Sequence, residues 1–330
     1  MVVNPVLELS MVLSNDKFYR LLSKISERTD CLEESDEGYI DRLLATSGIT
    51  VIYRSSQYKK KVKPVVDPQV MLGGDIDVAR LVRKLGRRID EYFCRQYQLR
   101  DFKLSNVVLT ADINVRSREN VSAYLRVFRR TGRVKGFSPV SYDCFDKGAS
   151  FCLEGNSNGI GFLTYDLEKA LLGQMETKSS GKKRLSSILE KSKGVLRAEV
   201  RLTTAKSIQH YTDTADIIEQ ISRITGKCKD IFFEVFAQVV PFGDFYKKDR
   251  TLDIIRSSVG NRVMRRKMLR LVALIPEKKS LWLAQRETGC RDMDVVMKEF
   301  AKVGVSPVTI GKRSEVKQLQ NIYSYLFDER

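Results

Sequence analysis

Three strand-like segments of this chain each carry one residue suited to phosphate chemistry. Asp112 lies in segment 107–115, Tyr165 in segment 161–168 and Glu199 in segment 194–202. A tyrosine hydroxyl can attack a phosphodiester, and two carboxylates can hold a hard cation such as Mg²⁺ or Mn²⁺. Such a cation polarises the phosphodiester and stabilises charge on its oxygens. The three residues predict a nucleophile and a metal site facing a polyanion.

The segments around both acids alternate in polarity as strands do. In segment 107–115 the odd-numbered residues are apolar, and Asp112 belongs to the opposite face. From residue 196 to 202 the even-numbered residues are apolar, and Glu199 shares the other face with Arg197 and Arg201. A carboxylate in mid-strand is costly unless it is hydrated, paired or bound to a cation. Salt bridges and a shared cation therefore both remain open for Asp112 and Glu199.

Tyr165 needs help to act as a nucleophile, because the reference pKa of a phenol is near 10. A metal ion or the nearby Lys169 could promote its ionisation. The alternative is a strand tyrosine that only packs its ring, and the chain has 13 tyrosines among which spacing alone does not choose. Both interpretations remain open at this point.

Several other chemistries have little support. The single histidine, His210, cannot supply a His-x-His metal pair, and it has no nucleophile elbow nearby. No phosphate-binding loop for ATP is present, and the six cysteines include no Cys-x-x-Cys pair. No apolar run approaches the roughly 20 residues of a membrane span. We expect a cytoplasmic protein with reduced cysteines, without a membrane partner.

The charge balance predicts a nucleic-acid partner. The chain has 58 basic and 41 acidic residues, a net charge of +17. Basic surfaces release counterions when they neutralise phosphates. The basic helical segment 251–272 and a helix–turn–helix pattern over residues 280–303 predict a DNA-binding unit near the C-terminus. We assign DNA contacts to Arg197, Arg201, Arg262, Arg265, Arg266 and Lys267.

The order of these motifs resembles a known family. A strand with an acid (Thr110-Ala111-Asp112-Ile113) precedes Leu163-Thr164-Tyr165 and then Leu196-Arg197-Ala198-Glu199. This order is similar to that of the filamentous-phage gene II/X family of phage and plasmid rolling-circle replication initiators. The similarity extends from about residue 100 into the C-terminal region, where Phe245-Tyr246 and Leu281-Trp282 recur in order. The first hundred residues match only loosely.

The resemblance implies site-specific nicking of a double-stranded origin, a free 3′-hydroxyl and later strand joining. It places the nicking tyrosine on Tyr165 and the acids on Asp112 and Glu199. A lysine often stands two residues after the family tyrosine; here that residue is Leu167, and the nearest lysine is Lys169. The implied partners are double-stranded origin DNA and single-stranded DNA, with a host helicase and polymerase as further candidates, inside a bacterial host cell.

The sequence predicts an α+β fold in two parts. An antiparallel-sheet nicking domain is expected over residues 1–240, and a helical, helix–turn–helix-like DNA-binding domain over residues 241–330. We find no internal repeat in the sequence. The competing hypothesis is a non-catalytic protein that binds an origin or packaging site through the same basic surface.

Overall fold

The computed structural model describes residues 2–35, 38–141, 149–177, 182–290 and 292–327. The predicted α+β class is confirmed, because a large antiparallel sheet is packed with helices. Among the described residues, ten strands form this sheet in the order β2-β3-β4-β5-β1-β6-β10-β9-β8-β7, where these are β1 (Asn4–Leu13), β2 (Leu32–Ser35), β3 (Gly38–Asp41), β4 (Ile49–Ser55), β5 (Lys60–Val66), β6 (Lys103–Asn114), β7 (Phe137–Pro139), β8 (Ser150–Gly155), β9 (Ile160–Asp166) and β10 (Val195–Leu202). A separate two-stranded ribbon pairs β11 (Phe245–Tyr246) with β12 (Gln318–Leu319).

The helices connect these strands or follow the sheet. Asp77 caps α3 by accepting from the Arg80 N–H, and Asp216 caps α8 by accepting from the Glu219 N–H. The helices are α1 (Asn15–Ser26), α2 (Pro68–Leu72), α3 (Val78–Tyr92), α4 (Arg118–Thr131), α5 (Leu167–Thr177), α6 (Lys182–Ser192), α7 (Ala205–Thr212), α8 (Ile217–Gly226), α9 (Cys228–Val239), α10 (Lys248–Ser258), α11 (Arg262–Lys278), α12 (Leu281–Glu287), α13 (Met293–Val303) and α14 (Ile322–Phe327).

The sheet consists of two halves with the same topology, a repeat that the sequence did not reveal. Outward from the central pair, one half runs β1, β5, β4, β3, β2 and the other runs β6, β10, β9, β8, β7. In each half a helix follows the central strand, and two helices follow the strand beside it: α2 and α3 in one half, α7 and α8 in the other. The central strands pair antiparallel, and α3 packs on α8. The halves are therefore related by a pseudo-twofold axis between β1 and β6.

The two halves differ in one insertion. A hairpin joins β4 directly to β5, whereas α5 and α6 stand between β9 and β10. The counterpart of β9 is β4, whose tyrosine, Tyr53, is fully buried and bonds the Tyr92 hydroxyl at 2.8 Å. Tyr165 on β9 lies on the opposite face of the sheet. Of these two tyrosines, only Tyr165 in the second half lies on the outer face of the sheet.

The two faces of the sheet have different coverings. The inner face carries the main hydrophobic core, formed with the helices; Leu9, Val107 and Val200 are completely buried there. The alternation predicted for β6 and β10 is confirmed, since their apolar residues join this core. The outer face carries Asp112, Arg197 and Glu199. Above β9 and β10 it has its own small apolar cluster, packed by α5.

The chain after residue 240 packs on the same core. Phe245, Phe300 and Ile322 are completely buried members of it. The Tyr124 hydroxyl on α4 donates to the Gln320 carbonyl, and the Tyr323 hydroxyl donates to the Val240 carbonyl. The division at residue 240 remains a prediction, and the hydrophobic core is continuous across it. Within the described residues, no helix is long and apolar enough to cross a membrane.

Candidate active site

Tyr165 stands at the end of β9, where the chain turns into α5. The sheet register places it opposite Arg197 on one side and opposite Ser150 on the other. Its ring packs in an apolar cluster with Cys152, Leu163, Leu167 and Val195, and Ala170 and Leu171 of α5 contact this cluster. Only 8% of the Tyr165 surface remains exposed. The strand end and the helix start thus fix the ring and leave its hydroxyl pointing along the outer face.

The Tyr165 hydroxyl donates a hydrogen bond to a carboxylate. Its oxygen lies 2.7 Å from Glu199 Oε1. The other carboxylate oxygen, Oε2, accepts from Arg201 Nη2 at 2.7 Å and from Nε at 3.0 Å. Glu199 is itself 8% exposed. The structure therefore joins two of the residues predicted from the sequence, with the glutamate oriented by an arginine two positions along its own strand.

The third predicted residue, Asp112, contacts Arg197. Arg197 Nε and Nη2 donate to the two carboxylate oxygens of Asp112 at 2.6 and 2.8 Å, a bidentate ion pair across β6 and β10. Arg197 also lies directly opposite Tyr165 in the sheet, where its guanidinium lowers the pKa of the phenol. Asp112 is therefore connected to Tyr165 through Arg197.

The surroundings of Tyr165 keep its phenol protonated. Burial raises the pKa of Tyr165 well above its usual value, and the negative charge of Glu199 raises it further. The guanidinium of Arg197 opposes this effect by lowering the pKa. A phenol whose pKa is raised in this way is neutral at physiological pH, so a nucleophilic role would require a neighbouring group that accepts its proton. Glu199 Oε1 is the acceptor already in contact.

The predicted metal site does not fit this arrangement of side chains. Asp112 on β6 and Glu199 on β10 are diagonal neighbours in the sheet. The Cα atoms of such neighbours are typically about 7–8 Å apart. Each carboxylate is paired with an arginine, the salt-bridge alternative that the sequence left open. The described residues include no group of three His, Cys, Asp or Glu side chains that could hold a metal. A cation shared by Asp112 and Glu199 would compete with both guanidinium groups, and the requirement for Mg²⁺ or Mn²⁺ remains a prediction.

Lys169 is not placed as a helper of the phenol. It lies exposed in the first turn of α5, and its backbone N–H donates to Asp166 Oδ1 at 3.2 Å. Sequence reasoning missed a different contact here: Arg118 at the start of α4 forms a bidentate ion pair with Glu168, which is only 5% exposed. This pair ties the start of α5 to α4. A role of Lys169 in catalysis remains a prediction without a supporting contact.

The predicted DNA-binding arginines fall into two groups. Arg197 and Arg201 lie in the site and are engaged in the ion pairs with Asp112 and Glu199. The others stand on α11, where Arg262 and Arg266 are exposed. Arg265 points back toward α10, with Nη1 at 3.5 Å from the carbonyl oxygens of Arg256 and Val259. The remaining member of the predicted set is Lys267, which is half-buried on the same helix.

The predicted helix pair is formed by α12 and α13, both packed on α11. Of seven apolar positions in this pair, four are buried, two are exposed and one is half-buried. Ser280 caps α12 and also donates to the Arg133 carbonyl, which attaches this unit to the end of α4. The buried positions are Leu281, Ala284, Val296 and Phe300, the exposed ones Leu283 and Val295, and the half-buried one Met297.

Comparison with known proteins finds a likeness among solved structures. No protein-family model matches the chain, and no curated protein matches it. Among solved structures, the chain is similar to the rolling circle replication initiator protein from Geobacillus stearothermophilus, at 11% sequence identity over 79% of this chain and 90% of that chain, with a TM-score of 0.30. Identity and superposition at this level carry no argument about the site, which rests on the geometry above.

Proposed function

We propose that this protein is a rolling-circle replication initiator of the gene II/X type, which nicks a double-stranded origin with Tyr165 as the nucleophile. The observation that carries the proposal is the hydrogen bond from the Tyr165 hydroxyl to Glu199, beside the guanidinium of Arg197. The order of the strand motifs and the net charge of +17 support it. A carboxylate that can accept the phenolic proton and a guanidinium that can bind phosphate are the two groups that this chemistry needs beside the tyrosine.

The proposed step is a transesterification. The Tyr165 oxygen attacks phosphorus while Glu199 Oε1 accepts the phenolic proton. The P–O3′ bond breaks, the 3′ oxygen leaves and takes a proton from solvent, and the 5′-phosphate remains on Tyr165. Arg197 lies where it can contact a non-bridging phosphate oxygen as charge develops there. The phosphotyrosine retains the energy of the broken ester, so the reverse reaction joins the strands without ATP.

In the proposal, the two ion pairs of the site have different roles. Arg201 binds only the Oε2 side of Glu199 in these contacts, which leaves Oε1 directed at the phenol. Asp112 holds Arg197 by both of its donors. An incoming phosphate would compete with Asp112 for this guanidinium. In the proposal, substrate binding therefore exchanges one anionic partner of Arg197 for another.

The deciding experiment detects a covalent adduct. The protein is incubated with supercoiled origin DNA and Mg²⁺, and DNA-linked protein is measured after denaturation in SDS. We expect an adduct with the native protein and none with Tyr165→Phe, while DNA affinity stays within a few-fold. Tyr211→Phe is the matched control, because Tyr211 also donates to a glutamate, Glu234 Oε1, at 3.4 Å.

Two results would count against Tyr165 as the nucleophile. An adduct of undiminished yield in Tyr165→Phe would move the nucleophile to another tyrosine such as Tyr142, which lies outside the described residues. Equal loss of adduct in Tyr211→Phe would indicate a general effect of removing a tyrosine hydroxyl rather than catalysis at β9.

A second candidate function is a DNA-binding protein without catalysis. It is favoured by one observation: Tyr165 and Glu199 are each only 8% exposed, and both predicted metal ligands are neutralised by arginines. In that case the site is a structural ion-pair network beneath α5. Origin binding without any adduct, under conditions where the DNA is supercoiled and Mg²⁺ is present, is the outcome that supports it.

A further inference from the structure

Helix α3 belongs to the half of the sheet that lacks the nicking tyrosine, and it presents two very different faces. Its apolar side is completely packed: Leu81 and Leu85 are 0% exposed, Ile89 is 2% and Tyr92 is 4%. The opposite side carries five basic residues at helical spacing, namely Arg80, Arg83, Lys84, Arg87 and Arg88, which line one surface groove together with Glu91.

Three of these basic residues are uncompensated. Arg88 bonds Glu91 at 3.1 Å, and Lys84 donates to the Met71 carbonyl at 2.6 Å. Among the described residues, Arg80, Arg83 and Arg87 form no ion pair, and all three are exposed. Like charges spaced three and four positions apart on one helix destabilise it by roughly 0.2–0.5 kcal/mol per pair. Folding alone gives no reason for this arrangement.

The pseudo-twofold axis supplies an internal comparison. The counterpart of α3 in the other half is α8, and the two helices pack on each other. The outer side of α8 carries one acid and one base, Glu219 and Arg223, which pair with each other at 3.3 Å. The same position in the fold is thus filled by a helix with no net charge in one half and by a strongly basic helix in the other.

We infer that the α3 arginines form a second DNA-binding surface that holds duplex phosphates away from the nicking centre. Tyr92 of α3 bonds Tyr53 on the inner side of the sheet, whereas Tyr165 lies on the outer side, so the sheet separates the two surfaces. From Arg80 to Arg87 the helix rises about 10 Å, since each residue adds 1.5 Å. That length spans about three base-pair steps of one DNA strand at 3.4 Å each.

The structure favours nucleic acid over a membrane as the occupant. A helix that binds lipid inserts its apolar face, and that face of α3 is buried in the core. Forked guanidinium groups in a row suit phosphate oxygens, which accept two parallel hydrogen bonds from each. The choice of DNA as the polymer rests on the proposed function; the binding surface itself does not depend on Tyr165.

The test compares two variants that each lose three charges at the same spacing. One combines Arg80→Gln, Arg83→Gln and Arg87→Gln; the control combines Lys17→Gln, Arg20→Gln and Lys24→Gln on the exposed side of α1. Affinity for a random-sequence duplex is measured from low to high salt. Three lost phosphate contacts should make the slope of log affinity against log salt shallower by about 2.7. The loss of affinity between roughly 50 and 200 mM salt should then be about 40-fold smaller than for the native protein. Arg80→Lys, Arg83→Lys and Arg87→Lys together should restore most of the slope.

The outcomes separate this inference from the nicking proposal. The α3 variant should still form the tyrosine adduct on a short single-stranded oligonucleotide at the native rate, because α3 lies across the sheet from Tyr165. Equal slopes for the α3 and α1 variants would mean that only net charge matters, and native duplex affinity in the α3 variant would assign the surface to another partner such as an acidic protein. Either result overturns the inference. If the native protein forms no adduct at all, the nicking proposal fails while the duplex measurement still decides the role of α3.

Discussion

Replacement of Glu199 by glutamine tests the proposed chemistry most directly. The amide keeps the size of the carboxylate and keeps an oxygen that can accept from the Tyr165 hydroxyl. In the native protein this hydroxyl lies 2.7 Å from Glu199 Oε1. The substitution removes the proton acceptor and the negative charge beside the phenol. General bases contribute roughly 10²- to 10⁴-fold to rate. We therefore expect adduct formation to slow by about that factor, equal to about 2.7–5.4 kcal/mol of transition-state stabilisation at 1.36 kcal/mol per decade.

Glu199→Gln also changes the structure around Arg201, and this effect must be distinguished from catalysis. The Arg201 side chain is 22% exposed, so water compensates part of the lost ion pair. Hydrogen bonds to charged groups contribute about 1.5–3 kcal/mol, and we expect a loss of stability no larger than that range. The variant should remain folded and bind duplex DNA within a few-fold of the native protein. Urea unfolding and DNA titration check both expectations.

The pH dependence gives the sharper measurement. The charge of Glu199 helps to raise the pKa of Tyr165, so its removal should lower that pKa while leaving it above the usual value because of burial. Without a base, the variant reacts through the ionised phenol, whose concentration rises tenfold per pH unit below its pKa. In single-turnover assays at saturating DNA, the deficit of Glu199→Gln should shrink as pH rises from about 7 to about 10.

The control is the same substitution at Glu154, which is exposed and lies on the outer face of the neighbouring strand β8. Glu154→Gln should react at the native rate at every pH. A native rate in Glu199→Gln at neutral pH would refute the base role. A large deficit that does not change with pH would instead point to a structural or metal-binding role for Glu199.

The remaining predictions concern the other carboxylate of the site and a buried network in the first half. Asp112→Asn should release Arg197 and slow adduct formation by about tenfold or more, because Arg197 no longer holds the phosphate in position. If excess Mg²⁺ restores the rate, the loss instead reflects weaker metal binding, and Asp112 is a metal ligand. Tyr92→Phe should destabilise the fold by about 1.5–3 kcal/mol, because the Tyr92 hydroxyl donates at 2.5 Å to Asp41, which is 1% exposed. Tyr39→Phe is its control in urea unfolding, since the Tyr39 hydroxyl makes no hydrogen bond within the described residues and its loss should change stability by less than about 0.5 kcal/mol.

The sequence was sufficient for the elements of the site but not for its pairing. Alternation placed Asp112 and Glu199 on polar strand faces because periodicity is a local property. Which arginine meets which acid depends on register between strands 85 residues apart in the chain, as for Arg197 and Asp112. Glu199 had an arginine on either side, and only the folded register assigns Arg201 to it and Arg197 to Asp112. The contact between Tyr165 and Glu199 is likewise a product of neighbouring strands, with no pattern in the sequence that specifies its distance.

The repeated topology was invisible for a related reason. Strand order and the positions of helices are shared by the halves, but the residues on equivalent strands differ, since inner positions only need to be apolar and outer positions are free to vary. The predicted boundary at residue 240 likewise followed a change in composition toward basic helices. Packing did not follow that change: Phe300 and Ile322 are completely buried in the core shared with the sheet.

The two proposals assign a different DNA contact to each half of the sheet, and the differences between the halves match this assignment. Both halves have the same frame, so residues that depart from it mark what each half adds. The second half adds α5 and α6 after β9, and the start of α5 seals the ring of Tyr165 while its hydroxyl reaches Glu199. The first half joins β4 to β5 by a hairpin and instead carries the basic stripe on α3. A nucleophile needs a dry, fixed position, whereas phosphate holding needs exposed charge. In this proposal, the second half of the sheet provides the dry, fixed position and the first half provides the exposed charge, so the two requirements are met on separate surfaces.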